Sequence, residues 1–282
     1  MLSIHVKKSL SDAGLYDDEK LRYIEDWELT CLPGIGPATV RKIRSEFGKS
    51  IYSMSSKEQA KYFDIPYEEI EAYKSKQGWS IDGSNWNKDP EPIATEYYRK
   101  LGYRCEYGEN YTFDVLMQAL LYPLLKKRGV PLFFNRNSIT VERRDGITFT
   151  EPTLGIYHSK LYEIIKKYPD KVVHCISTST LYDLKTGLKA TRNGITNEID
   201  DQHFIEVWKV LGKDKINQLG ICYVSNTAYA GWPDLSLFRE NKLVFVEIKT
   251  SDNLTRNQID WWLNVCESIG LNFQITKIRK RA

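Results

Sequence analysis

Little in this chain of 282 residues belongs to a membrane span, a disulfide scaffold or a zinc module. Nowhere does an apolar run approach the roughly 18 residues that a span needs, and the N-terminal MLSIHVKKSLSDAG lacks the apolar centre of a secretion signal. Cysteine is scarce. Cys31, Cys105, Cys175, Cys222 and Cys266 are odd in number, far apart and never arranged as C-x-x-C, which points to reduced, mostly buried thiols. His5, His158, His174 and His203 are equally scattered and suggest no catalytic role. Nor does one sign of charge dominate: the formal net charge is +3, too small by itself to mark a nucleic-acid binder. With 41% hydrophobic and 27% charged residues, the composition is that of an ordinary soluble protein of the cytoplasm or nucleoid, or of the nucleus if eukaryotic. The length suits one large domain, or a small one joined to a larger one.

Basic side chains do gather locally, at Lys126, Lys127 and Arg128, at Arg143 and Arg144, and at Lys277, Arg279, Lys280 and Arg281. Such runs are ordinary solvated surface unless another feature points to an anionic partner. One such feature lies near the N-terminus, in LTCLPGIGPATVRKIRSEFG. Leu21, Ile24 and Trp27 predict a helix entering Leu32-Pro33-Gly34-Ile35-Gly36-Pro37, and Val40, Ile43 and Phe47 mark one face of a second helix that stops at Gly48. Gly34 and Gly36 clear the side chains that would keep a phosphate from the backbone amides opening the second helix, and Arg41 and Lys42 add charge nearby. The stretch resembles the helix-hairpin-helix motif, which implies DNA-backbone contacts through Gly34, Ile35, Gly36, Thr39, Arg41 and Lys42 without base readout. A plain tight helical turn uses glycine too. Further on, SMSSKEQAKYFDIPYEEIEAYKSK suggests a second, degenerate hairpin, its last helix carrying Ile70 and Tyr73. The Gly-, Ser-, Asn-, Asp- and Pro-rich stretch from Gln77 to Pro92 reads as a linker.

The stretch GWPDLSLFRENKLVFVEIKT poses a different problem. DLSLF and KLVFVEIK read as strands around the polar turn Arg239-Glu240-Asn241-Lys242. Alternation sends Val244, Val246 and Ile248 to one face and Phe245, Glu247 and Lys249 to the other. A turn centred between Glu240 and Asn241 sets Asp234 opposite Glu247, with Cβ atoms about 5 Å apart; an odd-length turn shifts the register by one. Like charges so placed destabilise a sheet unless a cation lies between them, so the pair suggests a hard divalent ion held by oxygens, with Lys249 orienting water or steadying negative charge.

Pro233-Asp234 followed by Glu247-Ile248-Lys249 resembles the PD-(D/E)xK nuclease motif. SDNLTRNQIDWWLNVCESIGLNFQITKI resembles the tail of its VRR-Nuc branch, where K-G-P-N-D-x-L-S-x-x-Q opens a helix; Asp252, Leu254, Thr255 and Gln258 match, whereas Thr250-Ser251 replaces Gly-Pro and the spacing is one residue shorter. Gln258 also fits a capping box with Thr255, ahead of a stripe of Ile259, Trp262, Leu263, Cys266 and Ile269. Upstream, EYYRKLGYRCEYGENYTFDVLMQALLYPLL and VWKVLGKDKINQLGICYVSNTAYAGWPDL resemble the nuclease domain of the Fanconi-associated nuclease family, with Ala230 replacing a glycine.

This resemblance implies an α/β fold, a PD-(D/E)xK restriction-endonuclease-like core with a mixed central sheet flanked by helices, preceded by a small all-α helix-hairpin-helix domain. The expected division is 1–80 for the hairpin domain, 81–92 for the linker and 93–282 for the nuclease domain. It implies Mg²⁺ or Mn²⁺ held by Glu109, Asp234, Glu247 and the Ile248 backbone, and catalysis by Asp234, Glu247, Lys249, Glu109 and Gln258. Glu109 precedes a helix with Phe113, Leu116, Met117, Leu120, Leu121 and Leu124 on one side, where an acid is also favourable charge at a helix N-terminus. Glu96 is the alternative third acid. The implied activity is structure-selective DNA endonuclease on branched, 5′-flap or nicked duplex DNA, in repair or recombination, by a monomer. A dimeric junction resolvase, an inactive DNA-binding adaptor and a sequence-reading restriction enzyme are the alternatives; Lys126, Lys127, Arg143 and Arg144 are charge-based candidates for holding a 5′ end.

Overall fold

Short capped helices open the chain. The computed structural model describes residues 2–107, 111–127, 141–142, 148–149, 166–192, 201–224 and 231–281. Helix α1 (Ile4–Asp12) is capped by Ser3 and α2 (Asp18–Arg22) by Asp17, whose carboxylate accepts from the Glu19 and Lys20 amides. The glycine turn lies between α3 (Asp26–Thr30) and α4 (Pro37–Phe47). The single helix expected to enter that turn is broken into α2 and α3, because Glu25 and Glu28 cap α3 with a capping box, and Trp27 is 60% exposed rather than buried. Leu10, Leu21, Leu29, Ile35, Val40 and Ile43 form the core of this part.

Helix α5 (Ser56–Tyr62) is followed by a strand, β1 (Tyr67–Ser75), where the sequence predicted the second helix of a degenerate hairpin. Ile70 and Ala72 are buried while Glu69, Glu71 and Tyr73 are exposed, the period of two that a strand imposes. The three-residue spacing of Ile70 and Tyr73 concealed it. Strand β2 (Gly78–Ser80) pairs back on β1. Residues 67–80, expected in the helical domain, therefore belong to the sheet. The stretch expected as a linker is fastened to it as well: Trp79 and Asn87 exchange backbone hydrogen bonds of 2.7 and 2.8 Å, and Asp82 accepts from the Ser84 amide and hydroxyl at 2.8 and 2.6 Å. Its Ser, Asn and Asp residues build turns rather than a flexible spacer.

The chain continues through α6 (Glu91–Lys100), β3 (Arg104–Tyr107), α7 (Tyr111–Leu120), α8 (Tyr122–Lys127), the separate two-stranded pair β4 (Val141–Glu142) and β5 (Thr148–Phe149), α9 (Pro169–Thr178), α10 (Leu181–Arg192) and α11 (Asp201–Val224), which breaks at Gly212. Then come β6 (Leu235–Arg239), β7 (Lys242–Lys249), α12 (Arg256–Trp261) running on as a π-helix over Trp262–Glu267, and β8 (Asn272–Lys280). The main sheet has the order β2-β1-β8-β7-β6-β3; β8 is parallel to both neighbours and the other pairings are antiparallel. The expected mixed sheet flanked by helices is present.

Alternation along β7 holds as read. Val246 and Ile248 pack with Ile93, Ala94 and Tyr98 of α6, whereas Phe245 joins Trp232, Ile259, Trp261, Phe273 and Ile275 on the other face. The buried residues of the C-terminal helix are Ile259, Trp261, Val265, Cys266 and Ile269, so Trp261 takes the place expected for Trp262. The wider π turn shifts the buried face by a residue. None of the five cysteines is in a disulfide; Cys105 and Cys266 are buried, and burial pushes the Cys105 thiol up to about 11. Among the described residues no helix is long and apolar enough to cross a membrane.

Candidate metal centre

The β6–β7 hairpin turns on Glu240 and Asn241, both left-handed at φ 51° and 60°, as a two-residue turn matched to strand twist requires. Arg239 pairs with Lys242, and the ladder runs through Leu235 opposite Val246. One step further along it Asp234 reaches Glu247, the register that the centred turn predicted. Asp234 is drawn into the ladder by its side chain: its Oδ2 accepts the Ile248 N–H at 2.7 Å. The segment before it is fixed by contact with α12. Gly231 has φ +83°, and a Cβ there would lie 2.2 Å from the Asn257 carbonyl oxygen, so only glycine lets the two backbones meet. Next to it Trp232 stands edge-on to Phe245 and Trp261, with ring centroids 5.4 and 5.0 Å away.

Asp234, Glu247 and Lys249 are only 6%, 1% and 3% exposed. Burying three charges is costly unless each finds compensation. Lys249 finds it, donating to Gln258 Oε1 at 3.0 Å and lying 2.9 Å from Glu247 Oε1 and 3.3 Å from Asp252 Oδ2. Glu247 finds it on one side only. Its Oε1 receives Lys249 and the Gln258 amide group, whereas its Oε2 is buried with no hydrogen-bond partner. Burial first, and the Asp234 carboxylate second, hold Glu247 well above the usual carboxylate range against the pull of Lys249. Burial also opposes the Lys249 ammonium, but Glu247, Asp252 and Asp234 outweigh it and raise its pKa.

Gln258 serves two purposes at once. Thr255 and Gln258 make the capping box read from the sequence, with Gln258 Oε1 accepting the Thr255 N–H at 2.8 Å, and the same amide ties Lys249 to Glu247. Its orientation is fixed, since an oxygen must face both the ammonium and the Thr255 N–H. The loop joining Lys249 to Thr255 is clamped from α5. Gln59, fully buried, accepts the Leu254 N–H at 2.7 Å and donates to the Leu254 and Ile51 carbonyls at 3.1 and 2.9 Å. Beside it, Arg256 at the start of α12 binds Glu28 of α3 through both terminal nitrogens and lies over the Tyr52 ring. Neither contact was foreseen from the sequence. A glutamine in the polar run SKEQAKY looks like surface, and Glu28 and Arg256 are 228 residues apart.

Asp234, Glu247, Lys249 and Gln258 are thus brought together, with Asp252 beside them. Ile248 contributes its backbone, its side chain being buried on the opposite face. Glu109 lies outside the described residues, as do Arg128, Arg143 and Arg144; Lys127 is exposed. Among the described residues no three His, Cys, Asp or Glu side chains are grouped to hold one metal ion. Glu96 is not brought to this cluster: it is 2.6 Å from Lys100 on α6, whose buried side packs on the face opposite Glu247. The glycine turn packs into the N-terminal cluster of Leu10, Leu21, Leu29, Val40 and Ile43. Ile35 is buried and pins it, Gly34 has φ +75° with open space where a Cβ would be, Gly36 is equally open, Thr39 is half-buried, and Arg41 and Lys42 are exposed.

No protein-family model and no curated protein matches the chain. Among solved structures, the fold is similar to the crystal structure of paFAN1 bound to 5′-flap DNA of 2 nucleotides with a gap, at 14% identity and a TM-score of 0.51, over 98% of this chain and 48% of that one. The crystal structure of paFAN1 with a 1-nucleotide 5′ flap and a gap is also found, at 14% identity and a TM-score of 0.39 over 99% and 49%. This chain spans about half the length of paFAN1, and the likeness is one of fold.

Proposed function

We propose that the chain is a divalent-metal-dependent, structure-selective endonuclease that hydrolyses phosphodiester bonds in branched or 5′-flap DNA. The observation that carries this reading is the buried Asp234–Glu247 pair with Lys249 on the same sheet face. Glu247 Oε2 is buried without a donor and its carboxyl group is pushed up by burial first and by Asp234 second, a surrounding that a hard cation would relieve and that oxygen ligands suit. Mg²⁺ or Mn²⁺ would be held by Asp234, Glu247 and the Ile248 backbone, with Glu109 as the third acid that the family resemblance implies. When bound, such an ion supplies Lewis-acid polarisation of the phosphate and a lowered pKa for water. Lys249 holds its proton and would steady the negative charge growing on phosphorus oxygens, while Gln258 and Asp252 fix its direction. The PD-(D/E)xK core and a helix-hairpin-helix at α3–α4 belong to the same reading. Open backbone at Gly34 and Gly36 would let a DNA phosphate reach the amides that start α4, with Arg41 and Lys42 alongside. The fold shared with a 5′-flap-bound structure supports the substrate class, and a part in DNA repair or recombination belongs to the same proposal.

The test is an end-labelled cleavage assay of 5′ flap, 3′ flap, four-way junction and nicked duplex with Mg²⁺, Mn²⁺ and EDTA, alongside the mass in solution. Cleavage of 5′ flaps by a monomer, lost in EDTA, is expected. Symmetric cutting of junctions by a dimer would mark a resolvase, and binding without cleavage of any substrate would leave an inert DNA-binding protein.

A further inference from the structure

Strand β8 places a second lysine beside the centre. Lys277 is the register partner of Lys249 on β7 and of Glu69 on β1, and the three share a face of the sheet. Adjacent strands are about 4.8 Å apart, so the two lysine stems rise side by side. The Lys277 side chain is half-buried, and no hydrogen bond or ion pair reaches its ammonium among the described residues. Its acidic neighbours are already engaged. Glu69 is 2.7 Å from Arg279 and 3.9 Å from Lys57, and Asp252 is 3.3 Å from Lys249. Apart from the Asp234–Glu247 pair, among the described residues Lys57, Lys249, Lys277 and Arg279 therefore share Glu69 and Asp252 along this rim. Burial leads in holding Lys277 below the usual lysine range; Arg279 and Lys249 add to that, while Asp252 and Glu69 oppose it. A half-buried ammonium without a direct acceptor calls for an anion from outside. Lys249, by contrast, already has acceptors on Glu247, Asp252 and Gln258.

We propose that Lys277 is a phosphate-binding residue: it takes a phosphodiester oxygen of the DNA strand next to the phosphate that is hydrolysed, with Arg279 and Lys57 flanking it. The assignment rests on the nuclease reading. A point charge on a flexible stem suits a backbone oxygen rather than a base edge, so its effect is uniform over sequence.

The experiment has two arms. Binding of a labelled 5′-flap duplex by Lys277→Gln, Lys277→Arg and wild-type protein is followed by fluorescence anisotropy across salt, in EDTA. In Lys277→Gln the slope of log K against log salt is expected to shrink by about one while Lys277→Arg keeps it. In the second arm wild-type protein is acetylated with and without flap DNA, and Lys277 is expected to lose reactivity when DNA is bound; this arm needs no variant to fold. An unchanged slope in folded Lys277→Gln, or undiminished acetylation in the complex, overturns the assignment and leaves the nuclease reading standing. Wild-type protein that neither binds nor cuts DNA overturns both.

Discussion

Lys249 faces three acceptors, on Glu247, Asp252 and Gln258, so its position is set before any substrate arrives. Replacing it removes the charge that would act on phosphorus oxygens and leaves the α3–α4 turn untouched. Lys249→Ala is expected to abolish flap cleavage while DNA binding stays within a few-fold of wild type, as gel cleavage and anisotropy will read; undiminished cleavage would remove Lys249 from the mechanism. Glu247 gives a prediction in the metal-free protein. Its folded pKa is raised, so its contribution to stability is fully present below the unfolded value of about 4.3 and is lost as pH rises through the folded value. In EDTA, wild-type Tm is expected to fall over that rise relative to Glu247→Gln, which cannot ionise. Parallel Tm curves for the two proteins from pH 4 to 9 would contradict the assigned charge state.

At the scale of elements, the centre is a hairpin, a helix start and a loop locked together by backbone contact. Gly231→Ala forces a methyl group into the Asn257 carbonyl and strains a positive φ. A loss of about 1–3 kcal/mol or more is expected in urea denaturation, with cleavage falling alongside. Gln59→Leu removes the partners of the Leu254 N–H and of two carbonyls. Each buried group left unpaired costs about 1–3 kcal/mol. Since the Leu254 loop lies between Lys249 and Gln258, kcat is expected to drop more than DNA affinity; equal losses in both would assign Gln59 to stability alone.

Across the whole molecule, the N-terminal helices reach the centre through Arg256 and Glu28. The Arg256 hydrogen bonds hold Glu28 below the usual carboxylate range. A lowered carboxyl contributes stability above its unfolded value of about 4.3 and loses it as pH falls through the folded one. Arg256→Ala should therefore lower Tm at pH 7 by the equivalent of about 1 kcal/mol, the pair being partly exposed, and by much less at pH 3. The hairpin was legible in the sequence because its alternation and polar turn are local, and so was Gln258, through its cap. β1 was hidden by an apolar spacing that suits a helix, and the Asp82 loop by turn-forming residues that resemble a spacer. Gln59, the Glu28–Arg256 pair and the Lys249–Lys277 register depend on segments distant in the chain, whose meeting no local pattern records. In the proposed mechanism, Asp234 and Glu247 form a cation site. The most direct test of that site is calorimetric titration of Mn²⁺ into wild type and Asp234→Asn at pH 7.5. Binding by the wild type that Asp234→Asn loses is the predicted result, and equal binding by both, or none by the wild type, would contradict it.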